Sequence, residues 1–113
     1  MVSEVLNILA DRQLSAVVFV QDYLQLQFDG DCMTLYVWPT LLLPQGVCDF
    51  GEVAYRNELC SFIARMVQRV ELLDQQHLLL HFQNTRAAIR IPLDTGHEAV
   101  YFTEYDKTSW LTL

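Results

Sequence analysis

The chain has 113 residues, of which 52% are hydrophobic and 19% charged, with a formal net charge of −7. That length builds a single domain, residues 1–113, able to bury roughly two-thirds of its unfolded surface, and the composition is that of a globular chain and not a disordered one. One lysine, Lys107, in an acidic chain excludes a nucleic-acid binder, whose partner's phosphates require clustered Lys and Arg, and no run approaches the ~20 apolar residues of a membrane helix.

The first residues, MVSEVLNILADRQ, carry neither a basic start nor a small-residue cleavage site, so no secretory signal is expected. Ser3 can cap a predicted helix over roughly residues 4–11, with Val5, Leu6, Ile8 and Leu9 on its apolar side. Alternation then predicts three strands, roughly 14–20, 23–29 and 33–38. Gln21-Asp22 closes the first hairpin and the three-residue loop Gly30-Asp31-Cys32 the second. In the linker PTLLLPQG, Pro39 and Pro44 forbid regular helix.

A second helix is predicted over roughly residues 52–64, where Tyr55, Leu59, Phe62 and Ile63 recur at helical spacing. Three more strands follow, roughly 67–73, 77–83 and 86–91, turning at Asp74-Gln75-Gln76 and at Asn84-Thr85. The tail, residues 93–113, carries Tyr101, Phe102, Trp110, Leu111 and Leu113.

The two sets of strands repeat one another. Arg12, Leu14 and Val17 match Arg65, Val67 and Val70 at an offset of 53, and Leu24, Leu26 and Phe28 match Leu78, Leu80 and Phe82 at 54. Tyr36, Trp38 and Pro39 match Ile89, Ile91 and Pro92 at 53 again, so the changes of offset fall in turns. The expected fold is an α+β domain, internally duplicated as α-βββ-α-βββ, with pseudo-repeats at about 3–39 and 52–92. Its antiparallel meanders form one sheet or a half-barrel, with the helices packed on one face.

Alternation places Val17, Phe19, Leu24, Leu26, Phe28, Tyr36 and Trp38 on the core face of the first meander. Val70, Leu72, Leu78, Leu80, Phe82, Ile89 and Ile91 are their equivalents in the second. The opposite faces differ. The first shows Val18, Val20, Tyr23, Gln25, Gln27, Met33, Leu35 and Val37, too apolar to be left wet. The second shows Glu71, Leu73, His77, Leu79, His81, Arg86, Ala88 and Arg90, a solvated face. Val18, Val20, Leu35 and Val37 are therefore interface candidates, to be covered by the tail or by a second chain. The run Glu104-Tyr105-Asp106-Lys107 fits a dry surface poorly, which favours a homodimer.

Catalytic signatures are scarce. Four scattered glycines make neither a P-loop nor a dinucleotide fingerprint, and no G-x-S-x-G or C-x-x-C occurs. His77 and His81 lie about 13 Å apart on a strand, too far to share a metal without His97 or Cys60. Arg86 and Arg90, with His81 nearby, could receive a carboxylate or phosphate. Parity puts Arg69 on the core-facing side of its strand. Cys32, Cys48 and Cys60, odd in number and irregular in spacing, suit reduced thiols in a cytoplasm.

The expectation is a small acidic protein of the cytoplasm that is not an enzyme, uses no cofactor and works by contact with a protein partner, a second copy of itself included. An inhibitor or immunity-type partner of a basic protein is one form of it. The alternative is a small-ligand-binding domain with a concave sheet pocket lined by Tyr36, Trp38 and their neighbours.

Overall fold

The computed structural model describes residues 8–93, 98–103 and 110–113. These contain ten strands and one short helix. The first half holds β1 (Ala16–Phe19), β2 (Leu24–Phe28), β3 (Asp31–Leu35), β4 (Thr40–Leu43) and β5 (Gly46–Cys48). Helix α1 (Tyr55–Cys60) separates it from β6 (Val67–Leu73), β7 (His77–Phe82), β8 (Ala88–Pro92), β9 (Val100–Thr103) and β10 (Trp110–Thr112).

The strands form two five-stranded antiparallel sheets, ordered β1-β2-β3-β9-β10 and β5-β4-β8-β7-β6. Each sheet is the meander of one half extended by the hairpin of the other. The first half lends β4–β5 to the edge of β8, and the second lends β9–β10 to the edge of β3. The repeat thus extends past the three-stranded meanders into an exchanged hairpin. Inward residues of both sheets, among them Leu26, Phe28, Leu35 and Phe102 from one and Leu41, Leu80, Phe82 and Ile89 from the other, form a single core.

This mostly-β arrangement overturns the α+β expectation of helices packed on one face. What covers each sheet is the other sheet. Of the first predicted helix, residues 8–11 form a turn and the rest lie outside the described residues. The second shrinks to six residues, because Ala54 offers no side-chain cap and the chain turns away after Ser61. Tyr55, Leu59 and Phe62 are still buried although the helix is short, while Ile63, the fourth residue of the expected stripe, is exposed. No described helix is long and apolar enough to cross a membrane.

A local two-fold axis relates the halves. Leu14 N–H donates to the Arg65 carbonyl (2.9 Å), and its equivalent at an offset of 53, Val67 N–H, donates to the Arg12 carbonyl (2.8 Å). Ala64 N–H donates to Leu14 and Asp11 N–H to Val67, both at 2.8 Å, which is the same relation again. Gln13 and Met66, also 53 apart, face each other across the axis. Asp11 (φ 66°) and Ala64 (φ 78°) both enter this pairing in the left-handed region, a conformation costing a non-glycine residue roughly 1–2 kcal/mol. The pairing persists because Leu9, Leu14, Phe62 and Val67 are buried around it.

The hairpins β1–β2 and β6–β7 turn at residues 21–22 and 74–76 as expected. The next hairpin does not. Phe28 pairs with Asp31 around two residues, Asp29 (φ 53°) and Gly30 (φ 106°), the pairing of positive φ angles for which Asp-Gly is preferred. Its counterpart spans four residues, 83–86, from Phe82 to Ala87. The β3–β8 offset is therefore 56, and Met33 and Leu35, not Tyr36 and Trp38, match Ile89 and Ile91. Leu35 is wholly buried and Tyr36 is 43% exposed, the opposite of the faces predicted from alternation. A one-residue slip inverts every side chain of a strand. Leu35→Ala should accordingly cost about 2–5 kcal/mol in urea unfolding, and Tyr36→Ala less than about 1.5 kcal/mol; the reverse order would restore the alternation read from the sequence.

Candidate functional site

The outer face of the β1-β2-β3-β9-β10 sheet is set by register. Val18 lies beside Gln25, Gln25 beside Thr34, and Thr34 beside Tyr101. In the next row Ala16, Gln27, Cys32 and Thr103 are neighbours. Among the described residues this face carries no charged side chain, in a chain where nearly one residue in five is charged. The one charged residue within the strands of this sheet, Asp31, is on the inward phase and 2% exposed, with Arg12 Nη1 at 3.6 Å from its Oδ2.

The face is partly organised by its own polar groups. Gln25 Nε2 donates to Thr34 Oγ1 (3.2 Å), and Cys32 Sγ lies 4.0 Å from the same oxygen. Tyr23 and Tyr36 bring their rings within 6.1 Å of each other at one end. The correction to β3 changes the chemistry expected here. Cys32, Thr34 and Tyr36 stand where Met33, Leu35 and Val37 were predicted, so the face is uncharged and hydrogen-bonding more than apolar. Of the four interface candidates, Val18 and Val20 lie on its side of β1 and its turn. Leu35 points inward, and Val37 packs half-buried against the core. In the tail, β9 and β10 lengthen the sheet edge to edge instead of lying across it.

The outer face of the second sheet is charged. A bulge between Val67 and Arg69 resets the alternation of β6, so Arg69 pairs with His81 on the solvent side and not on the core-facing side predicted. Glu71 Oε1 lies 3.0 Å from His81 Nε2 and accepts from Arg69 Nη1 at 3.2 Å. Of the expected anion site, His81 and Arg90 share this face on adjacent strands, while Arg86 is exposed in the β7–β8 loop. Glu71 already supplies the carboxylate that His81 faces. His77 pairs with Leu73 and Pro92, and His97 lies outside the described residues. No group of three His, Cys, Asp or Glu among the described residues could hold a metal.

The third surface was not legible in advance. The β1–β2 turn, the β3–β4 connection and the residues before α1 enclose a cleft of about 340 Å³ lined by Phe19, Val20, Gln21, Trp38, Phe50 and Arg56. Trp38 and Phe50 stack at 4.1 Å, and Phe50 meets the edge of Tyr55 at 5.7 Å. The Arg56 guanidinium lies over the Phe19 ring at 5.5 Å. Buried Tyr55 donates its hydroxyl to the Pro39 carbonyl (2.5 Å), and burial, reinforced by Cys48 and Asp49, raises that phenol far above its ordinary range. This bond ties α1 to the β3–β4 crossover and so holds Trp38 in place. Phe50 and Arg56 stand outside any alternating run, and no local signal distinguished them.

No family model, curated protein or solved structure matches the chain.

Hydrogen bonds from His81 and then Arg69 hold the Glu71 carboxyl below its ordinary value. A depressed folded pKa contributes stability that is present above the unfolded value, about 4.5, and is lost as pH falls through the folded one. Carbon-detected titration should place the Glu71 midpoint below that of a glutamate in an unstructured peptide, and Glu71→Gln should flatten the acid limb of the stability profile. An unshifted midpoint would dissolve the cluster.

Proposed function

We propose that the protein is a non-enzymatic interaction module whose contact surface is the outer face of the β1-β2-β3-β9-β10 sheet. One observation carries this reading: four strands present Val18, Gln25, Gln27, Tyr101 and Thr103 around the buried Thr34, with no charge among them. Interface centres are depleted of charge and enriched in tyrosine, because a charge desolvated without a partner costs several kcal/mol. Hydroxyl and amide groups that can donate and accept give such a face specificity. The matching partner is a protein patch with no Lys, Arg, Asp or Glu at its centre and with amide and hydroxyl groups of its own. The negative charge, six of whose seven excess units fall in residues 1–53, serves solubility outside that face.

The small-ligand alternative draws support from the aromatic cleft, whose volume of about 340 Å³ is at the low end for such sites. Its open mouth and its exposed Phe50 favour a macromolecular contact.

Gln27→Lys places a charge in the middle of the face at a side chain with no hydrogen bond to any other described side chain or backbone group. It should weaken a partner captured from the native host by at least about tenfold and leave the melting temperature nearly unchanged. Equal capture by wild type and Gln27→Lys would remove the face from the function.

A reducing, cytoplasmic setting is part of the same proposal, supported by three cysteines that are all free. Burial raises the Cys48 thiol, with Glu52, Glu58 and Asp49 adding to the shift, and burial raises Cys32, partly offset by the Thr34 hydroxyl. Cys60, exposed at the end of α1, should therefore be alkylated first in the folded protein and Cys48 last. Mass mapping after timed iodoacetamide treatment checks the order, and all three should label after denaturation without reductant.

A further inference from the structure

We propose that the aromatic cleft is a self-complementary surface through which two copies of this chain form an isologous dimer, separate from the uncharged sheet face. Three exposed apolar side chains, Val47, Phe50 and Val53, occur within seven residues ahead of α1, and Val53 is fully exposed. Beside them lie two clefts that share Phe50 and Arg56. One is the cleft of about 340 Å³ described above, and the other, about 230 Å³, is lined by Phe50, Gly51, Glu52, Val53, Tyr55 and Arg56. The patch thus carries both the apolar projections and the hollows that could receive them. A two-fold axis through such a patch sets the Val53 of each copy into the hollow of the other.

Charge selects a second copy as the occupant. Arg56 is fixed over Phe19 and makes no ion pair with any described residue, Glu52 included, although both line the smaller cleft. Glu52 directs Oε2 to the Asp49 N–H at 2.6 Å, which fixes its carboxylate at the rim and leaves Oε1 available. Glu52 and Arg56 are four residues apart, so an antiparallel approach about the axis places the Glu52 of each copy opposite the Arg56 of the other. Two such contacts form at once, in a molecule whose net charge of −7 otherwise opposes self-association. Gly51 holds the segment in its outward course, with φ +102° and open space where a Cβ would stand. Trp38, stacked on Phe50, and Arg56 are the residue types that dominate interface energetics.

Sedimentation equilibrium of the full chain from about 1 to 100 μM spans the affinities of transient to moderately stable dimers, and wild type should show a dimer within it. Val53→Glu should be monomeric across the range with an unchanged melting temperature, since the side chain touches little in the monomer. Arg56→Glu should weaken the dimer, and Glu52→Arg combined with Arg56→Glu should restore it, which a purely structural role for either residue would not do. Gln27→Lys should dimerise like wild type, so loss of partner capture and loss of the dimer are read separately. A monomeric wild type, a Val53→Glu dimer of wild-type strength, a dimer dissolved by Gln27→Lys, or no rescue by the charge exchange would each overturn the proposal.

Discussion

The antiparallel pairing of residues 11–14 with residues 64–67 is the constraint on which the rest of the molecule depends. It is non-local, it brings together the start of each half, and its four hydrogen bonds are two copies of two interactions related by the local two-fold axis. Once the halves meet in this way, β1 and β6 leave the axis in equivalent directions and the two meanders face each other across a shared core. Each meander then has an open edge, at β3 and at β8. An unpaired edge is a liability in any sheet, and the exchange of hairpins covers both, moving the edges out to the three-residue strands β10 and β5. The β9–β10 hairpin completes one sheet and β4–β5 the other, so neither half has a complete sheet without residues of its partner half. Folding of such a chain is expected to be cooperative, because each sheet is completed only by strands that are distant in sequence, and closing such non-local pairings costs chain entropy before their contacts form.

The symmetry holds inside and fails outside. Leu24, Leu26 and Phe28 correspond to Leu78, Leu80 and Phe82, and all six are buried to within about a percent. The outward residues of the same strands have diverged completely, into Gln25 and Gln27 on one sheet and His77, Leu79 and His81 on the other. Interior positions are bound by packing density, where a single methylene is felt, whereas an outward position answers only to solvent or to a partner. One skeleton therefore presents a neutral amide-hydroxyl surface and a charged one on opposite sides of the same core. The aromatic cleft lies at a third place, where the chain crosses from β3 to β4, and Tyr55 anchors it by bonding to the Pro39 carbonyl.

Much of this organisation is legible as alternation. The strand pattern of β1, β2, β6, β7 and β8, the inward residues of all but β6, the duplication and two of the hairpin turns can be read from period-two spacing and turn residues. The structure departs from that alternation in three places. Helical spacing at Tyr55, Leu59 and Phe62 suggests a thirteen-residue helix, yet burying those three side chains needs little more than two turns. The second hairpin turns on Asp29-Gly30 and not on a three-residue loop, and that shift exchanges Leu35 for Tyr36 and alters the character of a whole surface. Alternation misplaces Arg69 because a bulge breaks it at a position with no residue type to announce it.

The sequence by itself determined that the chain is a duplicated set of antiparallel strands with an acidic exterior, because side-chain alternation and turn chemistry are local properties. Only the tertiary structure decided which strands complete each sheet, since β3–β9 and β4–β8 pairing is made by backbone hydrogen bonds, which leave no mark in side-chain order. It also decided that Phe19, Trp38, Phe50 and Arg56 meet at all. Those residues come from segments up to 37 positions apart, and their assembly follows from the hairpin exchange that carries the chain from one sheet to the other.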